Sequence, residues 1–163
     1  MKLNNLALVV VLARIILGNG IIRGCECKTV QFIFGDSLSD VGNNKSLNRS
    51  LAQASLPWYG IDFGNGLSNG RFTNGRTVAN IIGDNTGLPR PPAFLDPSST
   101  PEIILENGAN YAYSGGGILN ETGQYFIQRF SLYKQIELFT GSSICCCIRE
   151  QRFYQQLLDA CLQ

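Results

Sequence analysis

Histidine is absent from all 163 residues of the chain. That removes the side chain most often used as a general base, and it leaves any mixed cysteine–histidine zinc site incomplete. Charge is sparse too. Asp, Glu, Lys and Arg make up 15% of the chain, the formal net charge is +1, and no basic stripe or acidic run is visible. Phosphate backbones are held by clustered Lys and Arg, so this composition argues against nucleic acid as a main partner. Long apolar runs are also missing. The stretch Leu6 to Leu17 is broken by Arg14 and falls far short of the roughly 20 residues that a membrane span needs, so no stable membrane anchor is expected. What the chain has in quantity is glycine, 18 residues of it, with six prolines. Much of a single globular domain should therefore be loop.

Residues 1–27 read as a secretory signal peptide, with Lys2 as a minimal basic start before the apolar run. Cleavage could follow Gly20, Gly24 or Cys27, and a buried N-terminal helix is the alternative reading. Secretion implies an extracellular protein. The sequons at Asn44, Asn48 and Asn120 then become candidate glycan sites. Asn44 is the weakest of the three, because it closes the block described next.

That block is VQFIFGDSLSDVGNN, Val30 to Asn44. Val30, Phe32, Ile33 and Phe34 form a short run of β-formers, the pattern of a buried strand. The run stops at Gly35, and Asp36 and Ser37 follow before a turn rich in Asp, Gly and Asn. A serine just past the end of a buried strand lies at the rim of an open sheet, where α/β folds bind substrates. Its hydroxyl can attack a carbonyl if a base takes its proton and backbone N–H groups hold the oxyanion. The competing reading is a cap or turn, since Asp and Ser oxygens commonly take orphan N–H groups. A Gly-x-Ser-x-Gly elbow is not present, because Ser39 occupies the place of the second glycine.

FIFGDSLSDVGNN resembles the first sequence block of the plant-type GDSL esterase/lipase family, within the SGNH hydrolase superfamily. PWYGIDF (Pro57 to Phe63), GRFTNGRT (Gly70 to Thr77) and GLPRPPAFLDP (Gly87 to Pro97) follow in that family's order. NGANYAYSGGGIL (Asn107 to Leu119) is similar to its second block. The resemblance implies an α/β three-layer sandwich around a parallel sheet, of which residues 28–139 supply the N-terminal part. It implies hydrolysis of carboxylic esters, with a small-molecule or lipid ester as partner and neither cofactor nor metal. It also implies Ser37 as nucleophile, with its own N–H and that of Gly115 as oxyanion donors. Gly116 takes the place of Gly115 if the loop slips by one.

Between the blocks, Val78, Ile81 and Ile82 are spaced as one buried face of a helix over Thr77 to Ile82. Ile103 to Leu105 and Ala109 to Tyr113 read as strands. Leu132, Ile136 and Phe139 read as one face of a helix from Ser131 to Phe139. Arg71 and Arg76 read as structural. Residues 140–163 diverge from the family, although Tyr154, Leu157, Leu158, Cys161 and Leu162 make an amphipathic stripe. Cys145, Cys146 and Cys147 are adjacent rather than spaced as zinc pairs, and neighbours cannot easily bridge each other. Cys25, Cys27 and Cys161 could pair with them in an oxidising compartment, in no order that the sequence fixes.

The family's Gly-x-Asn-Asp and Asp-x-x-His blocks do not occur in the chain, and with no histidine its general base has no position to occupy. Asp36 and Asp40 stand near Ser37, but a carboxylate of ordinary pKa near 4 is a poor base at neutral pH. Lys28, Lys45 and Lys134 would need strongly depressed pKa values. Two readings follow. One is an ester hydrolase chain that is truncated and inactive as it stands. The other is a non-catalytic secreted fragment, a lipid- or ester-binding or decoy module.

Overall fold

The computed structural model describes residues 29–63 and 65–142 of the chain. In chain order these form β1 (Gln31–Ile33), α1 (Val78–Thr86), α2 (Pro101–Asn107), β2 (Gly108–Asn110) and α3 (Leu132–Gly141), with single 3-10 turns at Asn43–Ser46 and Gln124–Phe126. The signal-peptide segment, Lys28, all six cysteines and the amphipathic stripe of the tail lie outside the described residues.

β1 and β2 pair in parallel, with Gln31 opposite Gly108 and Ile33 opposite Asn110. Hydrogen bonding continues beyond the formal strands, as Tyr111 N–H donates to Ile33 O at 2.7 Å and Tyr113 N–H to Gly35 O at 3.0 Å. A parallel pair needs a long crossover, and α1 and α2 lie within it, which makes the architecture α/β. Strand alternation sends Phe32 and Phe34 to one face and Gln31 and Ile33 to the other. On the first face Phe139 of α3 meets Phe32, Phe34 and Tyr111 with ring centroids 5.1, 5.7 and 5.8 Å apart. Phe94 stacks on Tyr111 at 4.4 Å, and Ile104 of α2 completes the cluster. On the second face the Gln31 carboxamide lies against Gly83 of α1.

Each helix starts where its side chains cap it. Thr77 and Asn80 form a reciprocal capping box on α1, and Thr100 followed by Pro101 opens α2. Ser131 caps α3. Three expectations of the sequence are corrected here. Ile103 to Leu105 is helical, because the Thr-Pro start and the Gly108 stop outweigh the β preference of two isoleucines. In α1 the apolar trio faces outward: Val78, Ile81 and Ile82 are 69%, 41% and 53% exposed, and the buried residues are Ala79, Asn80 and Gly83. Gly83 is inside because Gln31 leaves no room for a Cβ there, and Asn80 is inside because it accepts from Arg71 and completes the cap. In α3, likewise, Phe139 packs inward while Ile136 is exposed and the buried residue is Gln135.

Gly108 joins α2 to β2 at φ 78°, and a Cβ there would lie 1.9 Å from the Gln31 carbonyl oxygen. Replacing Gly108 with Ala should therefore cost about 3 kcal/mol or more in a urea titration. Gly87 has a similar φ of 70° but open space around it. Gly87→Ala should cost only about 1 kcal/mol, the conformational penalty alone.

Candidate active site

Because the strands are parallel and adjacent, their C-terminal ends release two loops side by side, Asp36–Asp40 and Ser114–Gly117. The first is gripped at its root. Gly35 N–H donates to Gln135 Oε1 at 2.9 Å, and Gly35 O accepts from Gln135 Nε2 at 2.8 Å as well as from Tyr113 N–H. Gln135, fully buried in α3, thus satisfies the Gly35 backbone where the ladder ends. The chain then turns sharply. Asp36 O accepts from the N–H groups of Ser39 and Asp40, at 3.1 and 3.0 Å, and Asp36 Oδ1 accepts from Leu38 N–H at 3.0 Å.

Asp40 ties this turn to the second loop. Its side chain is fully buried. Oδ1 accepts from Gly42 N–H at 2.8 Å, and Oδ2 accepts from Asn44 N–H, Asn44 Nδ2 and Ser114 N–H at 3.2, 3.0 and 3.0 Å. Burial pushes its pKa up, and these four bonds to the charged form oppose the rise. The neighbouring asparagines extend the network. Asn43 Nδ2 donates to the carbonyls of Asn110 and Ala112, and its Oδ1 accepts from Leu95 N–H. Asn44 Nδ2 also donates to Gly70 O, and Asn44 Oδ1 accepts from Ala54 N–H. Asn44 is therefore a buried strut, whereas the sequon residues Asn48 and Asn120 are exposed.

Ser37 and Gly115 line one cavity of 380 Å³, with Ser114 and Gly116 beside them. Gly115 sits at φ 73°, and a Cβ there would lie 2.6 Å from the Phe126 ring. Among the described residues the backbone N–H groups of Ser37 and Gly115 donate to no protein acceptor, while Gly116 N–H donates to Tyr113 O at 3.0 Å. The Ser37 hydroxyl likewise has no hydrogen-bond partner among the described residues. Of the alternative bases among the described residues, only Asp36 lines the cavity. Asp40 is sealed in its network, Lys134 pairs with Glu137 at 3.1 Å, and neither Lys134 nor the exposed Lys45 lines the cavity. No group of three metal-ligating side chains occurs among the described residues, and none of their helices is long and apolar enough to cross a membrane.

Both arginines singled out in the sequence hold structure together. Arg71 is buried, stacks 3.9 Å above the Phe63 ring and donates to Asn80 Oδ1 at 2.7 Å. Burial, with help from the Arg90 charge, lowers its pKa to about 10. Arg76 and Arg90 both bind the Asp84 carboxylate, whose pKa falls to about 2 through the Arg90 and Arg76 hydrogen bonds.

Comparison with known proteins bears directly on these loops. Over 121 residues the chain is 78% identical to GDSL esterase/lipase At1g74460 of Arabidopsis thaliana, a match that covers 74% of this chain and 33% of the relative. GDSL esterase/lipase At5g37690, from the same plant, is 53% identical over 110 residues, 68% of this chain and 31% of its own. The chain belongs to the GDSL esterase/lipase family. It spans about a third of the length of these family members. GDSL esterase/lipase 7 of the same plant matches over 151 residues at 41% identity, 92% of this chain and 40% of that protein. No family model and no solved structure matches the chain.

Two residues that position the loops, Asp40 and Gln135, escaped the sequence reading as positioning groups. Asp40 was visible only as a turn residue or a poor base, and Gln135 lies between Lys134 and Ile136 with nothing to mark it. Asp40→Asn can keep only one accepting oxygen, so at least one buried N–H loses its acceptor. We expect a loss of about 1–3 kcal/mol at neutral pH. A raised folded pKa means that the folded state holds its proton more tightly. Parent stability from Asp40 therefore falls as pH climbs from 3.8 through the folded value. The gap between parent and Asp40→Asn should widen as pH is lowered from 7 toward 4, in urea titrations at each pH.

Proposed function

We propose that this chain is the nucleophile-bearing part of a carboxylic ester hydrolase, built as an α/β three-layer sandwich, and that its own residues do not turn esters over. Ser37 is the nucleophile, and the N–H groups of Ser37 and Gly115 are two oxyanion donors. The observation that carries this reading is the pairing of a serine and an uncommitted glycine N–H in one cavity at the ends of adjacent parallel strands. In acyl transfer the hydroxyl would add to the ester carbonyl and the two N–H groups would hold the oxygen as it becomes an alkoxide. The step needs a base to take the serine proton. With no histidine in the chain and a free Ser37 hydroxyl, that base must come from elsewhere. In serine hydrolases the loss of nucleophile or base costs on the order of 10⁶ in kcat, about 8 kcal/mol of transition-state stabilisation.

The same absence favours the second reading, a non-catalytic secreted module that binds a lipid or other ester in this cavity. In either case we propose a secreted product, processed between Ile21 and Lys28 and glycosylated at Asn48 or Asn120, the two exposed sequons.

One experiment separates the readings. The chain to Phe139 is joined to the remaining two thirds of the 78%-identical Arabidopsis relative and assayed on a short-chain p-nitrophenyl ester. The chain alone should match its Ser37→Ala variant at background. The chimera should hydrolyse the ester at a rate that Ser37→Ala abolishes. A folded chimera without Ser37-dependent hydrolysis would overturn the hydrolase reading and leave the binding module.

A further inference from the structure

The cavity beside Ser37 has walls of an unusual kind. Tyr59 and Phe72 meet edge to face with centroids 5.5 Å apart, and Tyr125 and Phe126 meet at 5.1 Å; all four line the cavity. Aliphatic side chains contribute only Leu51 and Ala52. The Phe126 ring is also the group that lies directly against Gly115, so one aromatic wall begins where an ester carbonyl would rest. Tyr125, at the rim, is 77% exposed, an aromatic surface with unfilled contacts. Among the described residues the one charged side chain in the lining is Asp36, and no Lys or Arg lines the cavity.

From these walls we infer that the cavity selects esters of uncharged aryl groups, with the ring held near the ester carbonyl, over alkyl esters and over anionic ligands. Ring-on-ring packing adds to the area term only when the ligand brings a π-face or edge, and an alkyl chain gains nothing from it. An apolar cavity of about 150 Å³ holds a benzene ring, so 380 Å³ takes a ring with its ester linkage. A carboxylate or phosphate on the ligand would meet Asp36 with no cation to offset the repulsion. The inference rests on the hydrolase reading only in taking the Gly115 side as the carbonyl's place.

Binding, read by ligand-observed NMR on the purified chain, tests it without turnover. The probes are methyl benzoate, methyl heptanoate of equal carbon count, and benzoate. Heptanoate exposes more hydrocarbon, so area alone would favour it. We expect methyl benzoate to bind about five-fold tighter or more, the ratio that about 1 kcal/mol of aromatic contact supplies, and benzoate to bind more weakly than its ester. Tyr125→Leu keeps an apolar residue at an exposed position, and it should bring the aryl-to-alkyl ratio toward one. Equal or tighter binding of the heptanoate overturns the inference, as does an unchanged ratio in Tyr125→Leu or binding of neither ester. Aryl preference in a chain whose chimera fails to hydrolyse would sink the hydrolase reading and leave this one standing.

Discussion

A buried carboxylate accepting four hydrogen bonds joins the two halves of the site. Asp40 closes the turn that follows Ser37 and, through Oδ2, fixes Ser114 N–H one residue before Gly115. Taking a carboxylate out of water is expensive, and an isolated one would protonate instead. Here every bond it receives comes from an N–H, and three of the four come from the backbone. The cost of burial is thus offset only while the Gly42, Asn44 and Ser114 amides hold their places. Conversely, those amides have an acceptor only while Asp40 stays in position. The rest of the loop geometry depends on that mutual requirement.

Sheet and helix supply the frame in which the tether works. Parallel pairing of β1 and β2 brings two strand ends to one edge, and the Gln135 carboxamide locks Gly35. Asn43 spans from the turn to the backbone of β2, so the Ser37 loop is held from α3, from β2 and from the Ser114 loop together. Loops so constrained leave few groups uncommitted. The Ser37 and Gly115 amides are among them, and both residues line the same cavity.

Much of this was legible in the residues. The strand before Ser37, the capped helices after Thr77 and Ser131, and the family itself follow from local patterns and from blocks that match in order. What the sequence hid is tertiary. The Val78, Ile81 and Ile82 stripe carried the spacing of a buried face, yet the helix buries Gly83 against Gln31 and Asn80 against Arg71. Ile103 and Ile104 looked like strand because propensity is a weak prior against a Thr-Pro start. The role of Gln135 depends on a partner 100 residues away, a distance across which no local pattern reports.

The central claim is that Asp40 welds the Ser37 turn to the Ser114 loop while leaving the Ser37 and Gly115 amides free. Amide hydrogen exchange under native conditions measures both parts at once. Ser114 N–H should exchange only with the slowest, cooperative opening of the β1–β2 core, and the Ser37 and Gly115 amides should exchange far faster through local access of water. A Ser114 amide that exchanges as fast as Gly115, in a chain whose Tyr111 and Tyr113 amides remain protected, would contradict the account.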